Sequence, residues 1–504
     1  MNLHESTPVV DVRSSVSPVN MKKIHHYNEL IKKIAIAFTG LSILQSLRLT
    51  VTGGAYAVTR FKIDPAETGL FIKLTLNTTE VFCVTGIIIA TIYSLIRRNT
   101  KLIKYDNCIS IVLTWLNFTS FVVIFFAYQT GGEDGHLTFY YWSLVIASMM
   151  YGMHQSLVLN MITKDVAYYF VGMPASGLII LVYHVLFRYF YKMFNKKRME
   201  YYLVIFQIEI AMFLWLLASI FWTWAYFEYN PGDSSKDNQN KNQLSTDLEY
   251  GKHCGKKEDF VKLSFWKRFK NAWSPFLMNI MGMSLSFFFY PAIAPYEFVE
   301  SDVGYKIDLC VLFISVTAAT TLVLIVYYEY GPNRCWTGKF KGYHCTWFLF
   351  IPFYGIMIIL FFLIHYPSNP FSIYVRSHPY CIGILTVGLR SLDDIIRGIS
   401  TNGVSMQSPD EDGDMASLAN CIAQILLNVF AFIGMGYIRA VRMYNRDKYN
   451  WPTEGLGCFT ALWFWIKTSC SGGWESFLES FTLNVRAYFE TNFDSDEEDI
   501  FLNY

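Results

Sequence analysis

Apolar runs of about twenty residues recur from residue 34 to residue 441, separated by short polar stretches. Coiled as helices, such runs are long enough to cross a hydrocarbon core of about 30 Å. The pattern predicts eleven spans, at about 34–58, 70–96, 107–128, 138–161, 167–190, 201–227, 274–298, 303–328, 344–365, 380–404 and 415–441. One break interrupts them. Residues 228–271 are rich in Asn, Asp, Ser, Lys and Gly, with a basic run from Lys252 to Lys270, and cannot bury enough apolar surface to fold alone. They predict a polar linker between a six-helix bundle (32–227) and a five-helix bundle (272–441). An all-α polytopic membrane protein is therefore expected.

The two ends read differently from the spans. Residues 1–31 are polar and lack an apolar stretch followed by a small-residue cleavage site, which predicts a disordered tail rather than a cleaved signal. In the C-terminal tail, 442–504, the stretch Gly455–Trp474 is aromatic and apolar but is interrupted by Lys467 and Gly472-Gly473. That composition predicts an interfacial segment. The chain closes on the acidic run Asp494–Asp499, a solvated tail.

Charge sets the expected orientation. Lys22, Lys23, Lys32 and Lys33 precede the first span, and Arg97, Arg98, Lys101 and Lys104 follow the second, which places the N-terminus and the linker in the cytoplasm. Two basic stretches run against that rule, Arg188–Arg198 and the group Arg439, Arg442, Arg446 and Lys448. Hydrophobic residues make up 53% of the chain and charged ones only 16%, with a net charge of +1, so neither nucleic acid nor an acidic macromolecule is implied. The ten Cys are scattered, several of them inside spans, and show neither a disulfide framework nor metal-ligand spacing. No phosphate-cradling glycine loop, paired-His zinc motif or nucleophile elbow occurs, so no enzyme, cofactor or metal is expected.

Ionisable residues inside spans then carry the functional reading, because a charge at that depth must face a partner, a bundle interior or water. Asp308 opens the eighth span, ahead of about twenty uncharged residues; it sits either at the headgroup level or on a central cavity. Arg48 lies deep in the first span, too far from its ends for easy snorkelling. His154 and Gln155 in the fourth span need partners, either as helix-to-helix glue or as solute contacts. The tenth span holds Arg390, Asp393, Asp394 and Arg397 within an arc of about 100° on one helix face. Arg390–Asp394 and Asp393–Arg397 are each four apart, so that face supports two ion pairs, read either as a self-neutralised scaffold or as a gate.

The order six spans, polar linker, five spans resembles the equilibrative nucleoside transporters. Residues 152–178 (GMHQSLVLNMITKDVAYYFVGMPASGL) are similar to that family's fourth-to-fifth helix stretch, and 284–293 (SLSFFFYPAI) to its seventh-helix ending. Asp308 falls where the eighth helix carries Asp-x-x-x-Arg, and Thr401-Asn402-Gly403 is similar to a Ser-Asn-Gly in the tenth. The resemblance covers about residues 34–441. It implies a major-facilitator-type fold of two bundles and facilitative, alternating-access transport of nucleosides or nucleobases across the plasma membrane. It also implies substrate binding by Asp308, His154, Gln155 and Arg48. There are departures: Leu312 stands where the family has Arg, and Gln45-Ser46-Leu47-Arg48 replaces its first-helix Pro-Trp-Asn. A divergent member is implied. Two rival expectations stand beside it: a carrier of another small solute, proton-coupled through Asp308, Glu80 or the tenth-span acids, and a transporter-like scaffold without transport.

Overall fold

The computed structural model describes residues 18–487, apart from 64–67, 98–104, 132–134, 163–164, 192–198, 228–264, 291–292, 329, 333, 335, 337, 408–413, 446–450 and 483. Most of the linker and the acidic end therefore lie outside the described residues. The first span is broken into α1 (Pro18–Ile43) and α2 (Gln45–Arg60) at Leu44. Ser42 donates to the Phe38 carbonyl and Gln45 to the Leu41 carbonyl, and side chains that bond back into the preceding turn bend a helix. Five long helices complete the first bundle: α3 (Thr68–Arg97), α4 (Asp106–Gln129), α5 (Leu137–Met161), α6 (Val166–Tyr191) and α7 (Met199–Phe227).

The second bundle begins with α8 (Phe265–Phe289) and α9 (Ser301–Tyr327), then a 3-10 turn (Gly338–Leu349) that runs into α10 (Phe350–His365). A short α11 (Pro370–Ser377), α12 (Pro379–Gln407) and α13 (Asp414–Asn445) follow. α8 starts several residues inside the stretch expected to be linker. Phe265, Phe269 and Phe276 recur at helical spacing there and pack beside Val404 and Met415, so apolar periodicity outweighs the basic residues between them. Nine helices among the described residues are long and apolar enough to cross a membrane, and α5 and α12 are long helices at the places of the other two expected spans. This is a multi-pass membrane protein.

Each bundle has its own core. Trp215, Trp222, Tyr140, Tyr141 and Tyr169 anchor the first, and Phe289, Phe353, Leu360, Ile382 and Leu389 the second. With lipid outside as apolar as the helix surfaces, close backbone approach holds such bundles together. Gly172 of α6 seats directly on Gly40 of α1, where a Cβ would come within 2.7 Å of backbone.

One further helix, α14 (Cys458–Glu479), lies antiparallel along α13. Past its end the chain crosses to the first bundle. Thr78 of α3 donates to the Ser480 carbonyl at 2.9 Å, Val485 is fully buried in the first core, and Arg486 donates to the Phe61 carbonyl at 3.1 Å.

Candidate functional site

The helix order puts the ends of α3, α5 and α7 on one face, with the start of α8; this is the linker face. On that face the two bundles are bonded. Ser156 of α5 and Ser417 of α13 are 2.7 Å apart, Ser156 also meets Thr91 at 3.1 Å, and Cys421 of α13 is buried in the first core. Toward the opposite face the bundles part around a cavity of about 2220 Å³. It is walled by α2, α3, α5 and α6 on one side and by α8, α9, α12 and α13 on the other. Exposed Arg188, Arg439 and Arg442 stand at its far end.

The second bundle's wall is a network of ion pairs. Arg390 donates to Asp393 and lies 3.5 Å from Asp394, and Arg397 donates to Asp393 at 3.0 Å. Both of the ion pairs expected from the four-residue spacing are therefore formed, with a third, three residues apart, between Arg390 and Asp393. Asp393 is fully buried behind the wall, while Arg390, Asp394 and Arg397 line the cavity. Ser315 of α9 donates to Asp394, which ties α9 to α12. The Arg390 guanidinium also rests over the Phe287 and Tyr290 rings, 5.4 Å from each centroid. Asp308 lines the same cavity and accepts the hydroxyls of Tyr290, at 3.0 Å, and Tyr296.

The first bundle contributes fewer charges: Arg188, which donates to the Tyr56 hydroxyl, and, deeper, Lys73, Arg48 and Glu80. Arg48 reaches the cavity beside Gly177 of α6: a Cβ there would lie 2.8 Å from the Arg48 guanidinium carbon and 2.9 Å from Leu312. Arg48 and Leu312 thus touch the same glycine. The guanidinium there comes from α2 of the first bundle and Leu312 from α9 of the second. Arg48 Nε is buried without a hydrogen bond, as are Arg390 Nε and Arg397 Nε, but only the latter two side chains are held in ion pairs. Glu80 of α3 also lines the cavity, and among the described residues it has no hydrogen-bond or ion-pair partner.

A double-tryptophan variant of XylE matches at TM-score 0.50 and 13% identity, over 90% of this chain and 96% of that one. The chain has the major-facilitator fold. The proton:xylose symporter XylE bound to 6-bromo-6-deoxy-D-glucose is similar at TM-score 0.49 and 12% identity, over 88% and 94% of the two chains. A bacterial homologue of the iron transporter ferroportin, in an outward-facing state, is similar at 0.44 and 10%, over 90% and 98%. No protein-family model and no curated protein matches the sequence.

Of the residues singled out in the sequence, Arg48, Gln155, Asp308, Arg390, Asp394 and Arg397 line the cavity together. His154 stands apart. It is fully buried inside the first bundle, bonded to Thr114 at 2.9 Å and packed edge-on to Trp215 and Trp222. It serves as the helix-to-helix glue that was one of its two sequence readings. Gln155, about 100° further round the helix, lines the cavity. Sequence reading missed Asn420, Gln424 and Asn428 of α13, which line the wall. Their spacing of four, a polar stripe along one helix face, was the available signal.

Proposed function

We propose that this chain is a carrier that moves a small polar solute across a membrane by alternating access. The observation that carries this reading is the cavity between two bundles, walled by ionised groups from both and closed by bonds between the bundles on the linker face. Rocking the bundles about this site would break the Ser156–Ser417 contact, open the linker face and close the mouth. The expected membrane is the plasma membrane, with the N-terminus and the linker cytoplasmic.

Within that reading, the sequence resemblance makes nucleosides and nucleobases the first solutes to assay. Phe287, Tyr290 and Tyr296 offer aromatic faces for a base, and Asp308 offers an acceptor for a ribose hydroxyl. Leu312 and the placement of His154 remove two of that family's contacts. Purified protein in proteoliposomes should take up labelled adenosine, hypoxanthine or uracil, each measured with and without a pH gradient. Uptake driven by the solute gradient alone marks a facilitative carrier, and dependence on the pH gradient marks proton coupling. Uptake of none of the three, in vesicles that do carry another solute, would remove the nucleoside class and keep the carrier.

A further inference from the structure

The charged groups of the cavity wall divide by whether they already have a partner. On the second bundle each one does. Tyr290 and Tyr296 serve Asp308, Ser315 and Arg390 serve Asp394, and Asp393 serves Arg390 and Arg397. On the first bundle Arg48 and Glu80 have neither a hydrogen-bond nor an ion-pair partner for their side-chain charges among the described residues. Arg48 lies twelve residues before Arg60 at the end of α2, and Glu80 twelve residues after Thr68 at the start of α3. Both are therefore about 18 Å in from the mouth face, at one depth. Lys73, also on the wall, is about 10 Å nearer the mouth.

An ionised side chain left unpaired at membrane depth is costly, and such residues mark a solute path when they face a cavity. The second bundle is a poor source of partners. Among the described residues, its acids and bases make their ion pairs with each other and none with Arg48 or Glu80. Pairing across the cavity would compete with the Ser315–Asp394 and Asp393–Arg397 contacts already made. A neutral solute leaves both Arg48 and Glu80 bare, a simple anion leaves Glu80, and a simple cation leaves Arg48. A solute with one group of each sign satisfies both, and it enters with no net charge to carry across the bilayer.

We propose that Arg48 and Glu80 are the two poles of a docking wall for a zwitterionic solute of the amino-acid class. The planar guanidinium fork of Arg48 receives the carboxylate, and the Glu80 carboxylate receives the ammonium group. Gly177 lets the Arg48 guanidinium seat close against α6, where a Cβ would come within 2.8 Å of it. The inference rests on the carrier reading and names a solute class different from the one the sequence resemblance implies, so a single assay sets the two against each other.

Full-length protein in proteoliposomes is offered a mixture of the twenty labelled amino acids, and the best-carried one is compared with its N-acetyl derivative, its amide and adenosine. Uptake of the free amino acid should exceed that of each blocked form by about tenfold or more, because a blocked form leaves one pole unpaired. Glu80→Gln should erase the preference over the N-acetyl form and leave the preference over the amide. Arg48→Gln should do the reverse. Equal uptake of free and blocked forms, or a preference for adenosine, overturns the proposal. So does uptake of any other solute when no amino acid is carried. If neither variant folds, the wild-type ratios decide alone. If nothing in the panel moves while a cysteine in the cavity still becomes reactive from each face in turn, the carrier reading survives and the zwitterion does not.

Discussion

At the scale of single residues, Asp393 governs the stability of the cavity wall. It is fully buried, with Arg390 and Arg397 both donating to it. Removing one member of a buried ion pair leaves an uncompensated charge and costs about 3–5 kcal/mol, whereas removing both members is far milder. Asp393→Asn should therefore lower the thermal unfolding temperature more than Asp393→Asn combined with Arg397→Gln. Strict additivity of the two single losses would show that the pair is uncoupled. Asp308 differs because it faces the cavity itself. Asp308→Asn keeps the shape and loses the charge, so uptake should fall sharply while the folded yield holds. Unchanged uptake would take Asp308 out of the solute path. The charges themselves were legible in the sequence, since an ionisable residue in an apolar run stands out. Which of them find partners was not. His154 and Gln155 are neighbours with the same polarity, and hydropathy says nothing of which one points at Trp215 and which at the cavity.

At the scale of elements, the eleven passes were legible because a membrane helix needs about twenty apolar residues and little else. Helix ends and breaks were less so. The break at Leu44 depends on side-chain bonds of Ser42 and Gln45 to the backbone, which a hydropathy pattern does not register. The seat of α14 depends on backbone contact. A Cβ on Gly436 would lie 2.2 Å from the Ser469 carbonyl oxygen and 2.4 Å from the Gly473 nitrogen, so α13 and α14 meet main chain to main chain. Gly436→Leu should push α14 off α13, at a cost of about 1–3 kcal/mol or more for overpacking. The variant should unfold at lower temperature and expose the buried region around Ser480 to protease. An unchanged melting profile and digestion pattern would mean that α14 is not held by this seat. The acidic contacts from Arg439 to Glu475 and Glu479 are exposed and add little by comparison.

At the scale of the whole molecule, orientation and alternation are the two claims to test. Protease added to the cytoplasmic side of sealed vesicles should cut within the 228–264 stretch, and cutting only from the other side would invert the assignment of faces. Alternation is tested most directly by holding the linker face shut. In a chain whose ten native cysteines are replaced by serine, a cysteine at Gln424 reports on the cavity wall. An impermeant thiol reagent should then modify Gln424→Cys from either face in turn, as the bundles rock. Adding Ser156→Cys with Ser417→Cys, at positions whose hydroxyls are 2.7 Å apart, allows a disulfide that pins the linker face. Oxidation should abolish labelling from the linker face, leave labelling from the opposite face intact, and be reversed by reductant. Labelling from the linker face that persists with the disulfide fully formed would contradict the alternating-access account.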